Sequence, residues 1–182
     1  MTTGPIPEAS RPARVGGERV DPSCVADERR SLTEYLEWHR RTFELKCAGL
    51  GQAQLSELSV PPSGMSLHGL LRHLTGVERW WFRQQFAGED LPILYYSDDD
   101  PNQDFERLDG DVEEAFALWR AECERSQEIA TAAESMEQQG TRLGTGEPFT
   151  LRWLMLRMIT EYARHLGHAD LLRERIDGEV GE

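Results

Sequence analysis

Lysine is nearly missing from this chain: Lys46 stands alone, and arginine supplies the rest of 20 basic residues set against 33 acidic ones. The formal net charge of -13 argues against DNA or RNA as the main partner, because phosphate binding draws on clustered positive charge. It argues equally against anionic membranes. Cysteine is sparse as well. Cys24, Cys47 and Cys123 are odd in number, widely separated and without a CxxC pair, so neither a disulfide framework nor a thiolate zinc site is expected. Two of them read as packing thiols on helix faces and the third as lying near the N-terminal end. No apolar run approaches the roughly 20 residues needed to span a bilayer. The N-terminus lacks the apolar segment of a secretory signal, which leaves the cytoplasm as the expected location. Strand-type alternation is nearly absent too, and that leaves helices.

Residues 1–20 hold Gly, Pro, Arg and polar residues with almost no apolar spacing and read as a disordered leader. Residues 21–182 then read as one domain, within the usual size of about 100–200 residues. Four amphipathic segments are expected in it. The first covers about residues 27–48, with Leu32, Leu36, His39 and Phe43 at three- and four-residue spacing and Gly49 placed to end it. A second follows Pro61-Pro62-Ser63-Gly64 and covers about 66–86, with an apolar stripe of Leu67, Leu70, Leu74, Val77 and Trp81. Residues 89–110, with the run Ser97-Asp98-Asp99-Asp100-Pro101-Asn102, read as a long crossover loop; the run lacks the glycine and distal glutamate of an EF-hand. The third segment covers about 111–136, with Val112, Ala115, Phe116, Trp119 and Cys123 on one face. Residues 137–148 read as a loop or small hairpin. The fourth begins at Thr150, a good N-cap, and continues to about Ile176. Four such helices with partly long connections imply an all-α bundle.

The last helix carries the most informative residues. Glu161, His165 and His168 fall at i, i+4 and i+7, within a stripe of about 60°, and His165 lies inside the apolar face made by Leu154, Met158, Tyr162 and Ala169. A carboxylate and an imidazole aimed at a bundle interior are costly unless hydrogen-bonded or bound to metal. His73 occupies a similar border position on the second helix. One histidine from one helix and an i, i+4 pair from another can converge on one ion, as in other bundle-core sites. Such ligands suit zinc, nickel, iron or manganese, and three of them leave a position open for water or substrate. Spacing alone leaves Glu161 open between this role and an ion pair with Arg157 or Arg164. His39 and His68 lack partners at metal spacing and read as packed histidines, and Trp80-Trp81 reads as core and rim packing.

Three stretches together change this reading: Pro61-Pro62-Ser63-Gly64-Met65-Ser66, then Leu70-Leu71-Arg72-His73-Leu74 with Glu78-Arg79-Trp80-Trp81-Phe82, and finally Glu161-Tyr162-Ala163-Arg164-His165-Leu166-Gly167-His168. In order and spacing they resemble the DinB-like superfamily over about residues 25–176, closest to its actinobacterial mini-circle branch and related to mycothiol-dependent maleylpyruvate isomerases. The resemblance implies a DinB-like four-helix bundle holding a divalent metal, zinc first, on His73, Glu161 and His165. Glu161 stands where the three-histidine form has its middle histidine. It also implies a low-molecular-weight thiol cofactor and an S-transferase or isomerase acting on small electrophiles. His168 or Asp170 would carry a proton or orient a ligand imidazole, and Arg72 or Arg164 would meet a substrate carboxylate. A non-catalytic metal- or ligand-binding bundle and a metal-dependent hydrolase remain the alternatives. The expected partner is a small molecule, and large apolar residues at helix borders leave a homodimer open.

Overall fold

A computed structural model describes residues 19–108 and 110–181; the expected leader lies almost wholly outside them. The chain is built on four long helical segments, and their ends follow from side-chain chemistry. Helix α1 (Glu28–Cys47) is capped by Asp27, whose carboxylate accepts from the Arg30 amide. Helix α3 (Leu67–Glu78) is capped by Ser66 accepting from Gly69 N–H, α5 (Val112–Ala132) by Asp111 accepting from Glu113 N–H, and α6 (Leu151–Asp177) by Thr150 accepting from Trp153 N–H. Each cap satisfies an orphan amide and contributes on the order of 1 kcal/mol. Gly178, at φ 79°, closes α6 in the left-handed conformation that glycine adopts without steric cost.

Several boundaries differ from the sequence reading. The second segment spans the expected residues, but only its first half is α-helical; Arg79–Phe86 forms a π-helical continuation, with Ala87 N–H donating to the Phe82 carbonyl. The third stops at Ala132, four residues early, where Ala133 turns extended. Two single-turn helices form outside the four expected segments: α2 (Gln52–Leu55), and α4 (Gln103–Glu106) within the stretch read as a crossover loop. Of the two options for residues 137–148, the hairpin forms: β1 (Gln139–Thr141) pairs antiparallel with β2 (Pro148–Thr150), Gly140 opposite Phe149.

Packing places α1 chiefly against α6 and α3 against α5, with α3 also lying along α6. Leu36 and Phe43 of α1, Leu67, Leu70 and Leu74 of α3, Trp119 of α5, and Leu154, Met158 and Tyr162 of α6 are almost completely buried. These are the periodic apolar positions of the sequence, and their burial is the main favourable term holding the helices together.

One buried charge cluster pins the bundle. Glu78, fully buried at the junction of α3 and the π segment, receives a forked pair of hydrogen bonds from Arg40 (2.8 and 2.6 Å) and one from the Tyr162 hydroxyl (2.8 Å). Trp119 in turn donates to Tyr162. On the next turn, buried Glu122 of α5 receives Arg79 and Arg83 of the π segment at 2.6 and 3.0 Å. All three cysteines are free, Cys47 and Cys123 buried and Cys24 exposed. Among the described residues no helix is long and apolar enough to cross a membrane.

The crossover loop is not merely solvated. It runs along α3, where glycines let its backbone come close: a Cβ at Gly69 would lie 2.7 Å from Phe105, and one at Gly76 would lie 3.1 Å from the Leu94 carbonyl. Arg72 reaches up to it, donating to the Gln103 carbonyl and stacking on Tyr95. That seating brings α4 beside His73.

Candidate metal centre

His73 leaves α3 on the side facing α6, and Glu161 and His165 leave α6 one turn apart. Their rings and carboxylate meet. His73 Nε2 and His165 Nε2 each lie 3.3 Å from the same oxygen, Glu161 Oε1, and the three candidate ligand atoms lie within 4.8 Å of one another. The other oxygen, Oε2, is held by Arg157 one turn earlier on α6. Glu161 therefore offers one oxygen inward and has the other neutralised.

The back of each imidazole is occupied. His73 Nδ1 donates to Asp104 Oδ2 at 2.8 Å, and Phe105 stacks on the ring with centroids 5.6 Å apart. His165 Nδ1 lies 3.3 Å from His168 Nδ1. A hydrogen bond at Nδ1 fixes the tautomer and leaves Nε2 as the ligating atom. If His165 donates its Nδ1–H, His168 accepts at Nδ1 and carries its own proton on Nε2, which makes it a support for His165.

The electrostatics describe a place prepared for positive charge. Burial disfavours protonation of His73, but hydrogen bonds to Asp104 and Glu161 outweigh it and push the ring up to about 9. Hydrogen bonds from His165 and His73 hold the Glu161 carboxyl far below the usual carboxylate range; burial opposes them and Arg157 assists. Burial, with His165 and Arg164 close by, keeps His168 below its ordinary value. Two imidazoles crowd one oxygen of a carboxylate whose ionised form they favour, and a cation can take the place of the extra proton.

The donor set fits a divalent metal. Ligand bonds of about 2.0–2.1 Å in tetrahedral geometry put donor atoms about 3.3–3.4 Å apart, which is the spacing of both imidazole nitrogens from Glu161 Oε1. Two histidines and one carboxylate are a donor combination of catalytic zinc, and three protein ligands leave a coordination position for an exogenous group. Side-chain exposure of 24% at His73, against 10% at Glu161 and 11% at His165, puts the opening on the His73 side.

Other residues singled out in the sequence go elsewhere. Asp170 is not brought to the triad: it sits about 180° around α6 from Glu161 and pairs with Lys46 Nζ at 2.6 Å. His39 donates to the Tyr35 carbonyl of its own helix, and His68 pairs with Ser56. Arg72 is committed to the crossover loop. Asp104, the carboxylate that does orient a triad imidazole, was not singled out. Only the acidic character of the loop hinted at it, since no spacing rule links residues 73 and 104. A small cleft of about 100 Å³ lined by Arg40, Phe82, Ser126 and Met155 lies on another side of α6 and does not include the triad.

No curated protein matches the chain. The family model described as mycothiol-S-transferase matches residues 31–178, and this family lies within the DinB-like superfamily that the sequence resembles. The match runs from the first turn of α1 to the end of α6 and includes His73, Asp104, Glu161, His165 and His168; the chain belongs to the mycothiol-S-transferase family.

Proposed function

We propose that this protein is a metal-dependent S-transferase that joins a low-molecular-weight thiol, mycothiol in the first instance, to small electrophiles. The observation that carries the reading is the meeting of His73, Glu161 and His165 at one point open to solvent on one side, within a chain of the mycothiol-S-transferase family.

His73, Glu161 and His165 would hold the divalent ion, zinc being the first candidate on the donor set. When bound, such an ion lowers the pKa of a thiol and keeps the thiolate beside an electrophile. The chain's own residues prepare that event. Asp104 and Phe105 fix the plane of the His73 ring, and His168 would hold His165 with its Nδ1 protonated and its Nε2 free. Arg157 restricts Glu161 to a single inward oxygen. Glu161 and His165 are largely shielded from bulk water, which strengthens the charge interactions they make. The thiol proton leaves to solvent through the opening beside His73. The sulfur electron pair then forms the S–C bond. In a displacement the carbon–halogen bond breaks and halide departs with its pair; in addition to an activated alkene a proton from solvent ends on the neighbouring carbon.

The test is conjugation of an electrophile with mycothiol by the metal-loaded protein, beside the chelated protein and beside reactions lacking thiol. The reading expects turnover only with metal and thiol together. Turnover without thiol would make the protein a hydrolase. A tightly held metal with no turnover and no thiol-dependent change in the Co(II) spectrum would make it a binding protein.

A further inference from the structure

Glu161 is the anionic member of the triad, and whatever holds its second oxygen decides how it can bind. A carboxylate free to turn can give both oxygens to one ion, which suits the oxygen-rich, higher coordination numbers of calcium and manganese. Here the two oxygens are used differently. Oε1 faces both imidazole Nε2 atoms at 3.3 Å, whereas Oε2 accepts from Arg157 Nη1. Arg157 also brings a positive charge to a place where two carboxylates, Asp104 and Glu161, lie against the His73 ring.

An ordinary helix-surface ion pair does not account for this arginine. At i, i+4 an acid preceding a base stabilises a helix better than the reverse order, and Arg157 precedes Glu161. The guanidinium is held from the facing element as well. Its centre lies 5.8 Å from the Trp81 ring, within reach of a cation–π contact. Trp81 in turn is wedged by Trp153 at 5.3 Å and by Phe149 of β2 at 5.7 Å, and those two rings lie 5.5 Å apart. Trp81 belongs to the π segment, Arg79–Phe86, whose wider winding sets where its side chains point. A line of contacts therefore runs from the π segment through Trp81 and Arg157 to Glu161 Oε2. With 38% of its side chain exposed, Arg157 stands at the rim of the fold and not in its core.

We propose that Arg157 is a positioning residue that keeps Glu161 a one-oxygen ligand, and that it thereby selects a four-coordinate ion of the zinc kind over ions that seek more oxygen ligands. The inference rests on the metal-holding part of the S-transferase reading and not on the transfer itself. With Arg157 in place, three ligand atoms leave one position of a tetrahedral ion open. Without it, a largely buried carboxylate oxygen loses its donor and recovers the lost interaction by turning to the ion. The added oxygen helps manganese more than zinc. Trp81, by holding the guanidinium, acts on the ion only through Arg157.

The experiment uses full-length protein, stripped of metal and reloaded with Co(II), Zn(II) or Mn(II), as wild type, Arg157→Leu, Arg157→Lys and Arg164→Leu. In Arg157→Leu the preference for zinc over manganese falls about tenfold, within the range for the outer partner of a metal ligand. The visible absorption of its Co(II) form loses most of its intensity, as a fifth or sixth ligand brings about. Arg157→Lys, which keeps a charge and a donor, restores part of both. Arg164→Leu removes the same charge one turn beyond Glu161 and leaves both as in wild type. An unchanged preference and spectrum in Arg157→Leu overturns the assignment. So does an equal loss of affinity for both metals with the Co(II) spectrum kept, which is what a merely structural residue would give. An equal change in Arg164→Leu also overturns it, because charge at a distance would then be the cause. Melting curves of the metal-free variants separate loss of fold from a change at the site. Loaded protein that conjugates nothing defeats the transfer reading alone, whereas wild type that takes up no Co(II) defeats the triad and the role of Arg157 together.

Discussion

Two aspartates separate a residue that supports the triad from one that only shares its helix. Asp104 accepts from His73 Nδ1 at 2.8 Å, whereas the half-exposed Asp170 pairs with the buried Lys46, away from the triad. Outer partners of this kind change metal affinity by about 10- to 100-fold. Asp104→Asn is therefore expected to weaken binding by that factor in competition with a chromophoric chelator. Asp170→Asn keeps wild-type affinity and costs about 1–3 kcal/mol of stability, because the buried Lys46 ammonium is left with the Gly181 carbonyl in place of a carboxylate. Equal effects of the two substitutions would undo the distinction. A second prediction concerns His68, buried against Ser56 and held below its ordinary value of 6.5 by desolvation and by Arg72. Its folded-state pKa is lowered, so on acidification the unfolded chain takes up the proton first. The contribution is complete above about pH 6.5 and is lost as pH falls through the lower folded value. Melting curves of wild type and His68→Gln between about pH 8 and pH 5 should converge at the acid end; parallel curves would contradict this.

At the scale of the elements, the bundle depends on a charge that sequence periodicity presents as a helix-face position. Glu78 is wholly buried, and Arg40 and Tyr162 depend on it. Glu78→Gln leaves the buried Arg40 guanidinium with only the partly exposed Glu37 as counter-charge, and a loss of about 3 kcal/mol in chemical denaturation is expected. A loss below about 1 kcal/mol would mean that the pair is not buried in solution. The long helices were legible because apolar residues recur at helical spacing and because Asp27, Ser66, Asp111 and Thr150 stand at their starts. The π segment was not. Its stripe continues without a break in the sequence, and the change of winding depends on Glu78 reaching Arg40 and on Arg79 and Arg83 reaching Glu122. Those are contacts across 38, 43 and 39 residues. Helices α2 and α4 escaped because a single turn leaves no period to detect, and α4 is stable where it is because Phe105 packs against Gly69 and His73.

For the whole molecule, the proposed ion is also a cross-link between α3 and α6. A ligand present at 100 times its dissociation constant stabilises the native state by about 2.7 kcal/mol, so complete chelation is expected to lower the melting temperature by about 5–10 °C. An unchanged midpoint would place the metal, if any, outside the fold. The inner part of the centre was legible because two of its members share one helix at i, i+4 and the third stands on an apolar border. Family resemblance then pointed to His73, which spacing alone could not join to a helix 88 residues away. The surround was hidden, because Asp104, Arg157 and the ring cluster of Trp81, Phe149 and Trp153 come together only through the crossover loop, the hairpin and the antiparallel course of α3 and α6. The most direct test of the central claim is elemental analysis of freshly purified wild type beside His73→Ala and His165→Ala. One equivalent of divalent metal per wild-type chain and little in either variant is the predicted result; wild-type stoichiometry in both variants would contradict it.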